Sequence, residues 1–98
     1  MNFNIIFTYK VREEMQELKQ NHAMEHHLKE VNKALEYLAH NPRHPSLHSH
    51  KYSARHGENG EEIFESYAEN HTPGAYRIFW HYGPGKEFIT IIDIIHHP

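Results

Sequence analysis

The 98-residue sequence contains no cysteine, and that one absence removes disulfides, thiolate metal sites and cysteine nucleophiles together. A reducing cytoplasm suits such a chain. No apolar run approaches the ~20 residues of a membrane-spanning helix, and the first residues lack the basic-then-apolar order of a signal peptide. The expectation is a soluble cytoplasmic protein with no membrane partner. There is no Gly/Ser linker and no repeat at solenoid spacing, and the length suits one domain, residues 1–98, rather than two. Positive charge is also in short supply: ten Lys and Arg stand against thirteen Asp and Glu, a formal charge of −3. Phosphate neutralisation normally needs clustered Lys and Arg, so only a local concentration of cations would serve a nucleic acid. The acidic residues crowd into the N-terminal half and into Glu61, Glu62, Glu65 and Glu69, whereas Arg43, Lys51, Arg55 and Arg77 lie among histidines.

What the chain does hold is histidine, twelve in all, a side chain whose charge changes near neutrality. Hydrophobic residues make up 38% and aromatics 12%, enough for a modest core and against disorder. Residues 2–8 place Phe3, Ile5 and Phe7 at period two, the pattern of a half-buried strand. From about Tyr9 the period becomes helical, with Val11, Met15 and Leu18 on one face. Met24, Leu28, Val31, Leu35 and Leu38 form a second stripe. The step from Leu18 to Met24 breaks the phase and Asn21 is a plausible cap, which predicts two helices. Pro42 and Pro45 end the second. Strand periods then cover His50–Ala54, Ile63–Glu69, Ala75–Tyr82 and Glu87–Ile94, separated by turn sequences at residues 57–60, 71–74 and 83–85. The predicted class is α+β, order β-α-α-β-β-β-β, with both N-terminal helices on one face of a mostly antiparallel sheet.

Several strings in this frame resemble the RelE/ParE toxin superfamily, closest to its messenger-RNA-interferase branch. They are Asn41-Pro42-Arg43-His44-Pro45-Ser46-Leu47, His50-Lys51, Ile63-Phe64-Glu65-Ser66-Tyr67, Gly74-Ala75-Tyr76-Arg77-Ile78-Phe79-Trp80 and Ile91-Ile92-Asp93-Ile94-Ile95-His96-His97. The resemblance covers residues 30–98 in pattern and the rest in element order; its most specific part is the Gly-x-Tyr-Arg-aliphatic-aromatic strand. It implies the toxin of a toxin–antitoxin pair, a metal-independent endoribonuclease acting on messenger RNA, usually on the ribosome, and held inactive by a cognate antitoxin. No cofactor is implied. The family's chemistry, attack of a 2′-hydroxyl on the adjacent phosphate, calls for a base, an acid and a cation.

The resemblance puts Arg77 at the family's phosphate-contacting strand arginine, and a guanidinium fork suits phosphate oxygens. It puts His96 and His97 just after the last strand, where relatives carry proton-transfer or phosphate-contacting residues. Glu65 and Tyr67 share a strand face, with Glu65 either a base or a solvated carboxylate. Lys51 and Arg55 either bind substrate phosphates or serve as edge-strand charges. If Trp80 faces the helices, alternation puts His81 beside Arg77 on the open face. Two other functions are compatible with the same fold: a non-nuclease toxin of the ParE branch acting on DNA gyrase, or a histidine-rich metal-binding regulator. For the latter, His22 and His26 stand at i and i+4, and His44, His48 and His50 lie close together.

Overall fold

The computed structural model describes residues 2–70 and 74–96. Among these residues the chain forms β1 (Asn4–Phe7), α1 (Tyr9–Gln20), α2 (Glu25–His40), β2 (His50–His56), β3 (Glu62–Tyr67), β4 (Tyr76–Tyr82) and β5 (Phe88–His96). The order is the expected β-α-α-β-β-β-β and the class is α+β. Strands line up as β1-β5-β4-β3-β2. The three pairings from β5 to β2 are antiparallel, while β1 runs parallel to β5 with Asn4 opposite Phe88 and Phe7 opposite Ile91. A parallel pair needs a long connection, and here the two helices and strands β2 to β4 lie between the partners in the chain.

Thr8 starts α1 by accepting a hydrogen bond from the Val11 amide through its side chain, which satisfies one of the donors a helix start leaves open. The stripe Val11, Met15 and Leu18 is buried as its spacing predicts. Asn21 does cap, but not the second α-helix. Its side chain accepts from the Ala23 amide at the start of a short 3-10 turn, His22–Met24, and α2 begins at Glu25 with no side-chain cap. The tighter 3-10 turn absorbs the phase break between the stripes and brings Met24 partly into the core.

Both helices pack on one sheet face. Val11, Leu18, Val31, Leu35 and Leu38 meet Tyr76, Ile78 and Trp80 of β4 and Ile89, Ile91 and Ile94 of β5. Trp80 is buried, so its indole N–H needs a partner inside the protein. It donates to the Ser66 hydroxyl at 2.8 Å, Ser66 contacts Ser49 at 2.7 Å, and Ser49 donates to the Pro42 carbonyl at 2.8 Å. Because the Ser49 proton is committed to Pro42, Ser66 must donate to Ser49, and the relay runs in one direction. It ties the segment between α2 and β2 to the middle of the sheet. Ser66→Ala is therefore expected to strand the buried Trp80 donor and lower stability by about 1–3 kcal/mol, measured by chemical denaturation; an unchanged midpoint would show the relay to be dispensable.

With Trp80 turned to the helices, Arg77, Phe79 and His81 occupy the opposite face of β4. That face is not flat. The β2–β3 register shifts between Lys51 and His56, and residues 52–55 arch over it. Tyr52 packs edge-on against Phe79 at 5.0 Å, and Arg55 reaches Asp93 of β5 at 2.7 Å although β3 and β4 lie between the two strands.

Candidate functional site on the open face of the sheet

Arg77 and Tyr67 are cross-strand partners between β4 and β3, and the guanidinium carbon lies 3.7 Å from the centre of the Tyr67 ring. This cation–π contact is joined by hydrogen bonds from Nη1 to the Glu69 carbonyl at 2.6 Å and the Tyr76 carbonyl at 3.3 Å. Arg77 is only 9% exposed. One nitrogen thus holds the fork against the backbone, and the planar group presents its remaining donors in a fixed direction. Glu69 builds this mount: its buried carboxylate receives the Tyr76 amide at 3.0 Å and contacts His27 Nδ1 at 2.7 Å. The Glu69 main chain is thereby held beside β4.

Around the Tyr67 ring stand His48, at a centroid distance of 5.3 Å, and His50, at 5.9 Å and nearly perpendicular. His50 pairs with Glu65 across β2 and β3, and its Nε2 lies 2.8 Å from Glu65 Oε1. Its Nδ1 lies 2.8 Å from the His48 carbonyl. His48 takes the left-handed conformation at φ 48° as the chain turns from the 3-10 turn Pro45–Leu47 into β2, and its Nε2 contacts the Asn70 amide at 3.2 Å. Arg77, Tyr67, Glu65, His50 and His48 therefore form one continuous group.

A second polar group occupies the other end of the face. His81 bonds the Tyr82 carbonyl through Nδ1 at 2.9 Å and lies 3.9 Å from Glu61 through Nε2. Beside it a cleft of about 480 Å³ is lined by Thr8, Lys10, Arg55, His56 and Thr90. Asp93, almost fully buried, lies 2.8 Å from the Lys10 ammonium and 2.7 Å from Arg55. Arg55 donates a hydrogen bond to Asp93 Oδ2, and the Lys10 ammonium is a second cation on Oδ1. Burial works to raise the Asp93 carboxyl, but the two cations outweigh it and hold the group below the usual carboxylate range. Next to it, Glu14 of α1 is pushed up to about 7, chiefly by burial and further by Asp93, against the bond that Glu14 accepts from the Ile94 amide.

The site residues read from the sequence divide accordingly. Arg77, Glu65 and Tyr67 come together. His81 shares their face, but four strand residues from Arg77 amount to about 13 Å, and the Tyr52–Phe79 pair stands between. Arg55 is on this face too, paired with Asp93, which it shares with Lys10. Lys51 is opposite Phe64, whose ring stacks on Trp80, so it belongs to the helix side, where it pairs with Glu62 at 3.1 Å. His96 is the last residue of β5 rather than a residue after it. It pairs with Tyr76 and its ring meets the Tyr76 ring at 6.1 Å, on the face away from Arg77. His97 lies outside the described residues.

The sequence marks His48 by its proximity to His44 and His50 also by the His50-Lys51 string; that Glu65 faces His50 follows from strand register, for which the sequence carries no local signal. The histidine pairs at metal spacing do not converge: among the described residues no three His, Asp or Glu side chains are placed to hold one ion. No helix among them is long and apolar enough to cross a membrane. Compared with protein-family models, with curated proteins and with solved structures, the chain matches none.

Proposed function

We propose that this chain is a RelE-like toxin, a metal-independent endoribonuclease that cleaves messenger RNA in the cytoplasm and is silenced by a cognate antitoxin. The observation that carries the reading is the Arg77 guanidinium mounted on Tyr67 with the Glu65 carboxylate two residues along the same strand face. A planar cation grips a phosphodiester, and a carboxylate about 7 Å away along the strand is within reach of the neighbouring 2′-hydroxyl. Glu65 takes the 2′-hydroxyl proton, the 2′-oxygen attacks phosphorus, the bond to the 5′-oxygen breaks, and that oxygen takes a proton from water. Arg77 offsets the charge that grows on the phosphoryl oxygens.

Lys51 and Arg55 are engaged in ion pairs, so phosphate binding falls to Arg77. Affinity for free RNA is correspondingly low, which favours messenger RNA held on the ribosome as the substrate. The antitoxin would cover the open face or extend the sheet at β2, its edge strand. Purified protein incubated with ribosome-bound messenger RNA in excess chelator is expected to leave 2′,3′-cyclic phosphate ends at the same rate as without chelator. A gyrase inhibitor on this fold would cleave nothing, and a metal-dependent nuclease would stop when chelator is added.

A further inference from the structure

We infer that His50 is the positioning residue of Glu65, holding its carboxylate through a shared proton so that the other oxygen faces the phosphate site; this rests on the RNA-cleavage reading. His50 Nδ1 lies against the His48 carbonyl, an acceptor only, and Nε2 lies against the Glu65 carboxyl at the same 2.8 Å. A neutral imidazole carries one N–H and cannot donate in both directions. Two protons must therefore serve the two contacts, as an imidazolium with a carboxylate or as a neutral imidazole with a carboxylic acid. A proton between Nε2 and Oε1 is common to both descriptions, and moving it along a hydrogen bond already formed converts one into the other.

The geometry gives that proton a direction. His50 is anchored from behind by a backbone carbonyl, in a segment where the Ser49–Ser66–Trp80 relay fixes the neighbouring residue. On the other side it holds Glu65 Oε1, while Oε2 carries no hydrogen bond among the described residues. Tyr67, on the same strand face as Glu65, carries Arg77 over its ring and meets the His50 ring edge-on. An imidazole so placed does for Glu65 what a carboxylate does for a catalytic histidine: it fixes the rotamer and compensates the charge. With His50 charged, Glu65 is an ionised base. Oε2 takes the 2′-hydroxyl proton while the Nε2 proton stays in the Oε1 contact, and once the cleaved end departs Oε2 gives its proton to solvent, which restores the imidazolium–carboxylate pair. The His50 side chain is 45% exposed and the Glu65 side chain 13%, so the contact opens to solvent on the histidine side.

The test uses the full chain on ribosome-bound messenger RNA, comparing His50→Gln, His50→Lys and Glu65→Gln with the wild type. Glutamine still donates to Oε1 but holds no transferable proton. His50→Gln is expected to lower kcat by about tenfold to a hundredfold with KM within about threefold, and to flatten the pH–rate profile through the histidine range. His50→Lys, which restores a cation at Oε1, is expected to recover part of kcat, and Glu65→Gln is expected to lose at least as much as His50→Gln. Thermal unfolding of each variant confirms that it is folded, and the exposure of His50 makes that the expected result. If the wild type cleaves and His50→Gln matches it in kcat and pH profile, the role of His50 is overturned and the RNA-cleavage reading stands. If the wild type cleaves no RNA, both are overturned.

Discussion

Arg77→Ala is expected to reduce cleavage of ribosome-bound messenger RNA about a hundredfold or more, equivalent to about 2.7 kcal/mol of transition-state stabilisation at ~1.4 kcal/mol per factor of ten. The guanidinium acts where charge grows, so the loss should fall mainly on kcat. The substitution is not silent for the fold. Arg77 is buried, bonded to two carbonyls and stacked on Tyr67, so a stability loss of about 1–3 kcal/mol is expected as well. Activity is therefore compared below the unfolding transition of the variant. Arg77→Lys separates charge from shape: an ammonium keeps the charge without the planar fork, and only a small part of the activity should return. A folded Arg77→Ala variant cleaving within about threefold of wild type would remove Arg77 from the site.

The second large effect is on stability as a function of pH, and it comes from α1. Glu14 sits at about 7 in the folded protein against an ordinary value of 4.5. The folded state therefore holds this proton more tightly than the unfolded chain. The stability it contributes is fully present below about 4.5 and is lost as pH rises through about 7. Asp93 has the opposite sign: its carboxyl is held below the ordinary value of 3.8, so its contribution is present above that value and disappears in acid. Between the two limits Lys10 and Arg55 face one carboxylate and one neutral acid, and above them two abutting carboxylates. Because Glu14 is only partly buried, solvent screening limits the loss to about 1–2 kcal/mol. Thermal unfolding is expected to show the decline between about pH 5 and 8. Glu14→Gln, which keeps the neutral shape, should reduce the slope and be the more stable protein at the alkaline end. Equal slopes for the two proteins would place the proton elsewhere, most directly on the histidines.

The helical stripes, the five strand segments and the face shared by Arg77 and His81 follow from periods of 3.6 and 2, because each depends only on neighbours along the chain. Trp80 is the residue that orients β4: once its ring is assigned to the helices, the alternation assigns Arg77. The features that escape such reading depend on which strand lies beside which. Arg55 reads as a free edge-strand cation until the β2 irregularity swings it over to Asp93, and a shift of register leaves no mark in composition. His96 reads as a residue beyond the last strand, yet β5 continues through it and the pleat turns it to the helix side. His50 and Glu65 lie fifteen positions apart with an acidic turn between them, and nothing short of their pairing identifies them as a unit.

The parallel pairing of β1 with β5 sets a condition on how the protein is made. Asn4 pairs with Phe88 and Phe7 with Ile91, so β1 has its sheet partner in a strand some eighty residues further along the chain. Until β5 exists, β1 has no place in the sheet, and the apolar Ile5 and Phe7 flank a helix pair whose floor, Ile89, Ile91 and Ile94, has yet to arrive. Contacts of such long range are slow to close, and a nascent chain waiting for them exposes apolar surface. β4, which carries Arg77, likewise gains its β5 neighbour only after residues 88–96 have been made, so a nascent chain that stops short of them holds Arg77 on a strand with one side of its ladder open.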